Sequence, residues 1–317
     1  MFIIDRLISS YTEFSKSFEI SPSMSVADVK LNVYDIESSL SFYRDLLGFQ
    51  LIGKSSDDSA FLSPVGSNNN NYLLQLRRID KANTAIEGEQ SRIRKAGLYH
   101  FAILLPSRMY LANIFKHLTD NSGQVYFEGA ADHAVSESLY LRDPDSNGVE
   151  IYRDRHPSEW KRTGQFQIEM KTDILNLKQL IKEAEDQSEW NMPADTVIGH
   201  IHLHVSDLNK SSNFYSKVLG LHHTGSISGA NFFAADSYHH HIAINTWLGN
   251  DIAVADSTKP GLDHFSLNLK SKENFEVLLH QMNRLKIEVL TDDSNKINTN
   301  SFIILDPDKI KIRIYHQ

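Results

Sequence analysis

The chain has 317 residues, 41% hydrophobic and 23% charged, with 32 Lys and Arg against 40 Asp and Glu for a net charge of −8. That length predicts about two domains, and the acidic balance argues against a general binder of nucleic acid or anionic membrane, which needs a basic patch. There is no cysteine, which excludes disulfide frameworks, thiolate zinc sites, iron–sulfur clusters and cysteine nucleophiles, so any metal must rest on the 15 histidines and on oxygen ligands.

In chain order, the apolar run Met1–Ile4 is broken by Asp5 and Arg6, unlike a signal peptide. No stretch approaches the roughly 18 apolar residues of a membrane span, so a cytoplasmic protein is expected, with residues 1–23 as an N-terminal extension. Residues 26–48 read as a strand and then a helix, with Asp35 at the N-cap. Asn68–Asn71 reads as a polar loop tip, and 97–107 (GLYHFAILLPS) opens on a strand. The run 139–152 (LYLRDPDSNGVEIY) carries an Asp-Pro turn at 143–144 between strands. Residues 173–187 look like an amphipathic helix in a linker spanning 158–195. In 198–205, Ile201, Leu203 and Val205 alternate with His200, His202 and His204, the period of a strand. Asp207 then stands at an N-cap, Phe214, Val218 and Leu219 follow at helical spacing, and Gly220 suits a left-handed C-cap. The last quarter repeats the pattern with a strand after His264, a helix over about 272–285 and an Asp-Pro turn at 306–307.

The chain repeats itself. Residues 26–48 and 198–220 align at an offset of 172, matching Asp35 with Asp207, Phe42 with Phe214, Tyr43 with Tyr215 and Gly48 with Gly220. The stretch 97–107 matches 261–271, and 139–152 matches 302–315. Two homologous halves result, each of two strand–helix–strands units, with domains expected at 24–157 and 196–317.

These stretches, together with DHAVSESLYLRDPDSNGVEIYRDR, IGHIHLHVSDL and SYHHHIAINTW, resemble the vicinal oxygen chelate superfamily, which spans glyoxalase I, antibiotic-resistance proteins and extradiol dioxygenases. Within it, the chain resembles bacterial ring-cleaving enzymes of the catechol 2,3-dioxygenase type from about residue 24 onward. The resemblance implies an α+β fold of four βαβββ modules in two incomplete barrels. It also implies extradiol cleavage of a small aromatic diol by O2 at non-haem Fe(II), with Mn(II) as the other candidate, in aromatic-hydrocarbon breakdown. Dimers or tetramers built through module edges are common in the superfamily; the sequence does not set the oligomeric state.

The family places its ligands at the start of a module's first strand in two modules, and at a Glu on a last strand. Those positions here are Asp28, His100 with Glu150, His200, and His264 with Arg313. Neighbouring modules would give Asp28, His100 and Glu150 in one half, and in the other two histidines beside a repelling Arg313. Crossed pairing of modules two and three instead gives His100, Glu150 and His200, the facial triad suited to Fe(II), and is preferred. The resemblance also places an acid–base histidine at His240, with His239 and His241 as register alternatives, and substrate-orienting residues at His133 and Tyr140. His202 and His204 are then expected to line the barrel or pocket, and His264 to be structural. A glyoxalase-like lyase or isomerase, which usually needs a second carboxylate, and a metal-free binding protein are the other readings.

Overall fold

In the computed structural model the described residues are 18–55, 58–67, 72–80, 94–185, 189–254, 258–291 and 300–316. The expected loop tip Asn68–Asn71 lies outside them.

Four copies of one unit follow one another. The first comprises β1 (Ser25–Val33), helix α1 (Ile36–Leu40), a π-helical turn Ser41–Leu46, β2 (Gln50–Lys54), β3 (Ser59–Ser63) and β4 (Leu74–Arg78). The second comprises β5 (Gly97–Leu104), α2 (Arg108–Asp120), β6 (Tyr126–Asp132), β7 (Ser136–Arg142) and β8 (Gly148–Asp154). Between the halves lie β9 (Asp173–Ile174) and α3 (Leu177–Leu180). The third unit comprises β10 (Val197–His204), α4 (Leu208–Asn213), a second π-helical turn Phe214–Val218, β11 (His222–Ile227), β12 (Ala230–Ala234) and β13 (Ile242–Asn245). The fourth has β14 (Gly261–Asn268), α5 (Lys272–Arg284), β15 (Ser301–Leu305) and β16 (Lys311–Tyr315) among the described residues. The fold is thus the expected α+β assembly of βαβββ modules.

The modules cross-pair. One sheet runs β15-β16-β14-β1-β4-β3-β2, joining the first and fourth modules. The other runs β11-β12-β13-β10-β5-β8-β7-β6-β9, joining the second and third. In every module the first strand pairs parallel with the last, and the modules meet through antiparallel first strands, β1 with β14 and β10 with β5. The neighbouring arrangement weighed from the sequence therefore does not occur, because each half contributes one module to each sheet.

Local chemistry explains the elements. Asp35 accepts from the backbone of Glu37 and Ser38, and Asp207 from that of Lys210, so both cap helices as expected. Gly48 and Gly220 end those helical segments at φ +80° and +74°, where a side chain would be strained. Inward-facing residues such as Phe101, Ile103, Ile201 and Leu203 are fully buried, each worth about 1.5–3 kcal/mol of burial free energy.

Two matching contacts join the modules within each half. Tyr43 donates to Asp143 at 2.8 Å, and its repeat partner Tyr215 donates to Asp306 at 3.0 Å. Both Asp residues belong to the Asp-Pro turns and also accept from the turn backbone.

The linker departs from expectation. The helix predicted over 173–187 is one α-turn, Leu177–Leu180, followed by a 3₁₀ turn at Ile181–Glu183, while Asp173–Ile174 adds a short edge strand to β6. Asn176 starts the helix late by accepting from the Gln179 backbone. Of its four residues only Leu180 is buried, too little apolar contact to sustain further turns.

Candidate metal centre

Three strands at the middle of the nine-stranded sheet bring the central side chains together. His202 lies opposite His100 across the β10–β5 ladder, and Ala102 lies between His200 on one side and Glu150 on the other. A register shift between Ile198 and His200 adjusts the strand at the third position. As a result His100, Glu150 and His200 converge, with one potential ligand atom from each within 4.8 Å of the others. All three are buried, at 5%, 2% and 2% exposure, and no other such group of His, Asp or Glu occurs among the described residues.

The contacts within this group suit a cation. Glu150 Oε2 lies 2.9 Å from His100 Nε2 and 3.1 Å from His200 Nε2, while Oε1 accepts from Ser138 at 2.6 Å. His100 Nε2 is out of line for a hydrogen bond and remains a buried polar atom without a partner. Burial raises the Glu150 pKa, but the two imidazoles outweigh it and hold the carboxyl well below its usual range. Burial pushes His100 down, toward the neutral form that can ligate. Two imidazole nitrogens and one carboxylate oxygen, one of them orphaned, fit a divalent metal of the Fe(II) or Mn(II) kind.

The triad forms one wall of a cavity of about 330 Å³, the size that suits a single-ring molecule. That cavity also gathers His240, His133 and Tyr140, so every residue singled out from the sequence for the site lines it. The register alternatives His239 and His241 do not line it. The His240 ring sits 4.2 Å from that of His200, centroid to centroid, and burial followed by the neighbouring His200 and His239 lowers its pKa well below the ordinary value.

His133 and Tyr140 form a pair. His133 Nδ1 faces the Lys171 carbonyl at 2.8 Å, and a carbonyl can only accept, so this nitrogen carries the proton. Nε2 lies 2.7 Å from the Tyr140 hydroxyl and, on a neutral ring, accepts from it. Burial, then the charge of Glu150, raises the Tyr140 pKa well above 10, keeping the phenol protonated.

Aromatic groups face the triad. Tyr99, His202, Phe232 and Trp247 line the cavity, with Tyr99 edge-on to Trp247 at 5.4 Å. Asn245 orders this wall by donating to His202 Nε2 at 2.9 Å and accepting from His204 Nδ1 at 2.7 Å. His202 is thus a lining residue, as expected, while His204 supports the wall from outside it. Asp28 and His264 lie on the other sheet, where Asp28 accepts from Ser266 and His264 is paired with Asp263 at 2.9 Å.

Several contributors were not singled out from the sequence. Ser138 lies two residues before Tyr140 on β7, so alternation alone places both on the same face. Gly148 sits opposite His100, and a methyl group there would overlap the Tyr99 carbonyl. Gly199 has no room for a side chain against the Tyr152 hydroxyl. The 158–195 segment supplies Met170, Lys171 and Thr172 to the cavity, an outcome of tertiary packing with no local signal.

Known proteins agree with this architecture. The family model for the Glyoxalase/Bleomycin resistance protein/Dioxygenase superfamily matches residues 25–151 and 197–314, one match per half. The catechol-2,3-dioxygenase of Bacillus subtilis (strain 168) is 38% identical over 280 residues, which cover 88% of this chain and 92% of that protein. Among solved structures, a candidate dioxygenase of Bacillus subtilis subsp. subtilis str. 168 superposes with a TM-score of 0.61 at 11% identity, covering 94% of this chain and 86% of that one. Glyoxalase I from Zea mays gives 0.54 at 15% identity, covering 93% and 92%; both structural likenesses speak to the fold alone. With the repeat, the crossed βαβββ modules and a matched model in each half, this chain belongs to the Glyoxalase/Bleomycin resistance protein/Dioxygenase superfamily.

Proposed function

We propose that this protein is an extradiol dioxygenase that cleaves a small catechol-type diol with O2, using Fe(II) held by His100, Glu150 and His200. One observation carries the reading. A buried pair of imidazoles and a carboxylate from two modules faces a ring-sized aromatic cavity that also contains His240, His133 and Tyr140. The relative at 38% identity supports the same chemistry. The glyoxalase-like alternative usually needs a second carboxylate, and Asp28, the one weighed for that role, stands on the other sheet.

The bound ion would supply what side chains cannot, an acid for two adjacent oxygens and a redox partner for O2. The protein's own groups hold and orient the rest. His240, neutral and beside the triad, takes a proton from one diol hydroxyl. Tyr140, in hydrogen-bond contact with His133 at 2.7 Å and lining the cavity, orients a substrate oxygen through its hydroxyl. The Tyr99, Phe232 and Trp247 side chains provide the faces and edges against which one aromatic ring packs. The carbon–carbon bond next to the diol breaks and both atoms of O2 enter a 2-hydroxymuconic-semialdehyde-type product.

The test is anaerobic reconstitution with Fe(II), addition of catechol, then air. Yellow ring-fission product with uptake of one O2 per catechol is expected; bound metal with neither signal would overturn the reading. His200→Ala should lose both metal and activity, and a variant that kept full metal content would remove His200 from the ligand set.

A further inference from the structure

A second chain of polar groups, partly buried at Asp154 and Tyr238 and fully buried at His239, starts on the strand that carries Glu150 and ends at the cavity. Asp154 closes β8, four residues beyond Glu150 and on the same face of the strand. Its Oδ1 lies 2.8 Å from His239 Nε2, and its Oδ2 accepts from the Tyr238 hydroxyl at 2.9 Å. The Tyr238 oxygen in turn lies 2.8 Å from the hydroxyl of Tyr152. His239 is fully buried, and its Nδ1 meets the Nδ1 of His240 at 2.8 Å.

Hydrogen-bond bookkeeping along this chain has few solutions. A carboxylate only accepts, so His239 carries a proton on Nε2. The two Nδ1 atoms share a single proton. With both rings neutral, His239, its proton on Nε2, leaves its Nδ1 bare, and His240 donates from its own Nδ1. Nε2 is then the unprotonated nitrogen of the His240 ring, the ring that lines the cavity.

We infer that Asp154 and His239 are positioning residues that fix His240 in the tautomer with a bare Nε2, which makes it a proton acceptor for the substrate. This rests on the function proposed above for what His240 does, but not for which tautomer it holds.

Asp154→Asn tests the chain. The Tyr238 hydroxyl keeps the amide oxygen, which turns the Asn NH2 toward His239 and forces that ring to accept at Nε2. His239 then donates from Nδ1, and His240 is left with its proton on Nε2. Long-range ¹H–¹⁵N histidine spectra of the metal-free protein should show His240 protonated on Nδ1 in the wild type and on Nε2 in the variant. With Fe(II) loaded, kcat should fall by roughly 100-fold, the scale of a lost general base, with metal content unchanged and KM within about threefold. Asp154→Glu, which restores a carboxylate, should recover part of kcat. A wild-type His240 protonated on Nε2, or an Asp154→Asn variant with unchanged tautomer and kcat, overturns the inference. If Asp154→Asn fails to fold, the wild-type spectrum alone decides. That spectrum is independent of whether the wild type cleaves catechol, so failure of the functional reading and failure of this one are distinguishable.

Discussion

Gly199 precedes His200 on β10, and its lack of a side chain is what lets the Tyr152 hydroxyl lie against the strand. Tyr152 is itself fully buried and packs its ring 5.0 Å from that of His200. Alanine at 199 would drive into the Tyr152 hydroxyl and the ring carbon behind it, neither of which is the free end of a flexible chain. Overpacking of this kind costs about 1–3 kcal/mol. Gly199→Ala should therefore lower the denaturation midpoint and also the Fe(II) content, since the strain falls on the backbone that aims His200. Adding Tyr152→Phe removes the worst overlap and should recover part of both losses, seen as a favourable coupling in the double-mutant cycle. Purely additive losses would show that the two residues do not compete for this space.

At the scale of elements, the residues that repeat most visibly are not those of the His–His–Glu cluster. Tyr43 and Tyr215, with Asp143 and Asp306, hold the helical segment of one module to the Asp-Pro turn of the next. The hydrogen bonds from the Tyr34 backbone to Asp145, and from the Ser206 backbone to Asp308, duplicate the arrangement. Neighbouring modules are thus docked through turns while their strands join modules of the other half. Spacing made the repeat legible, and the family resemblance, with crossed pairing of the modules, then pointed to His100, Glu150 and His200. The Asp154–His239–His240 chain was not legible, because residues 236–241 meet β8 only through the tertiary fold. The linker helix was over-read for the opposite reason, since its amphipathic spacing finds little apolar surface to cover.

Crossed pairing also makes a prediction for separated halves. Residues 1–160 contain His100 and Glu150, and residues 189–317 contain His200, so neither piece has the full triad. Each would also expose the unpaired edges of two first strands, an aggregation hazard. Expressed alone, each half should be poorly soluble and bind Fe(II) weakly, whereas co-expression should yield a one-to-one complex that binds one Fe(II). Tight one-ion binding by the first half alone would contradict the arrangement.

Across the whole molecule the two sheets offer equivalent places, and only one is equipped for a metal. In the seven-stranded sheet Ser266 pairs with Arg313 in the register in which Ala102 pairs with Glu150. His264 holds the place of His100, and Asp28 stands on β1 in the place of His200. Asp28 is committed to Ser266, Arg313 lies over the Tyr315 ring at 5.0 Å, and Asp263 draws in Lys311 and Arg77 at 3.2 and 3.5 Å. A doubly charged ion about 5 Å from a guanidinium is opposed by about 7 kcal/mol at an effective dielectric constant of 20, and a single engaged carboxylate offsets only part of that. The duplicated fold thus keeps one His–His–Glu cluster, while in the other sheet Arg313 holds the register of its carboxylate. The protein should hold one Fe(II) per chain after dialysis, counted by mass spectrometry of the native protein. His264→Ala should leave that count at one, and His200→Ala should bring it close to zero. Two ions per wild-type chain, or a loss of metal on changing His264, would mean that the second place binds metal despite its cations.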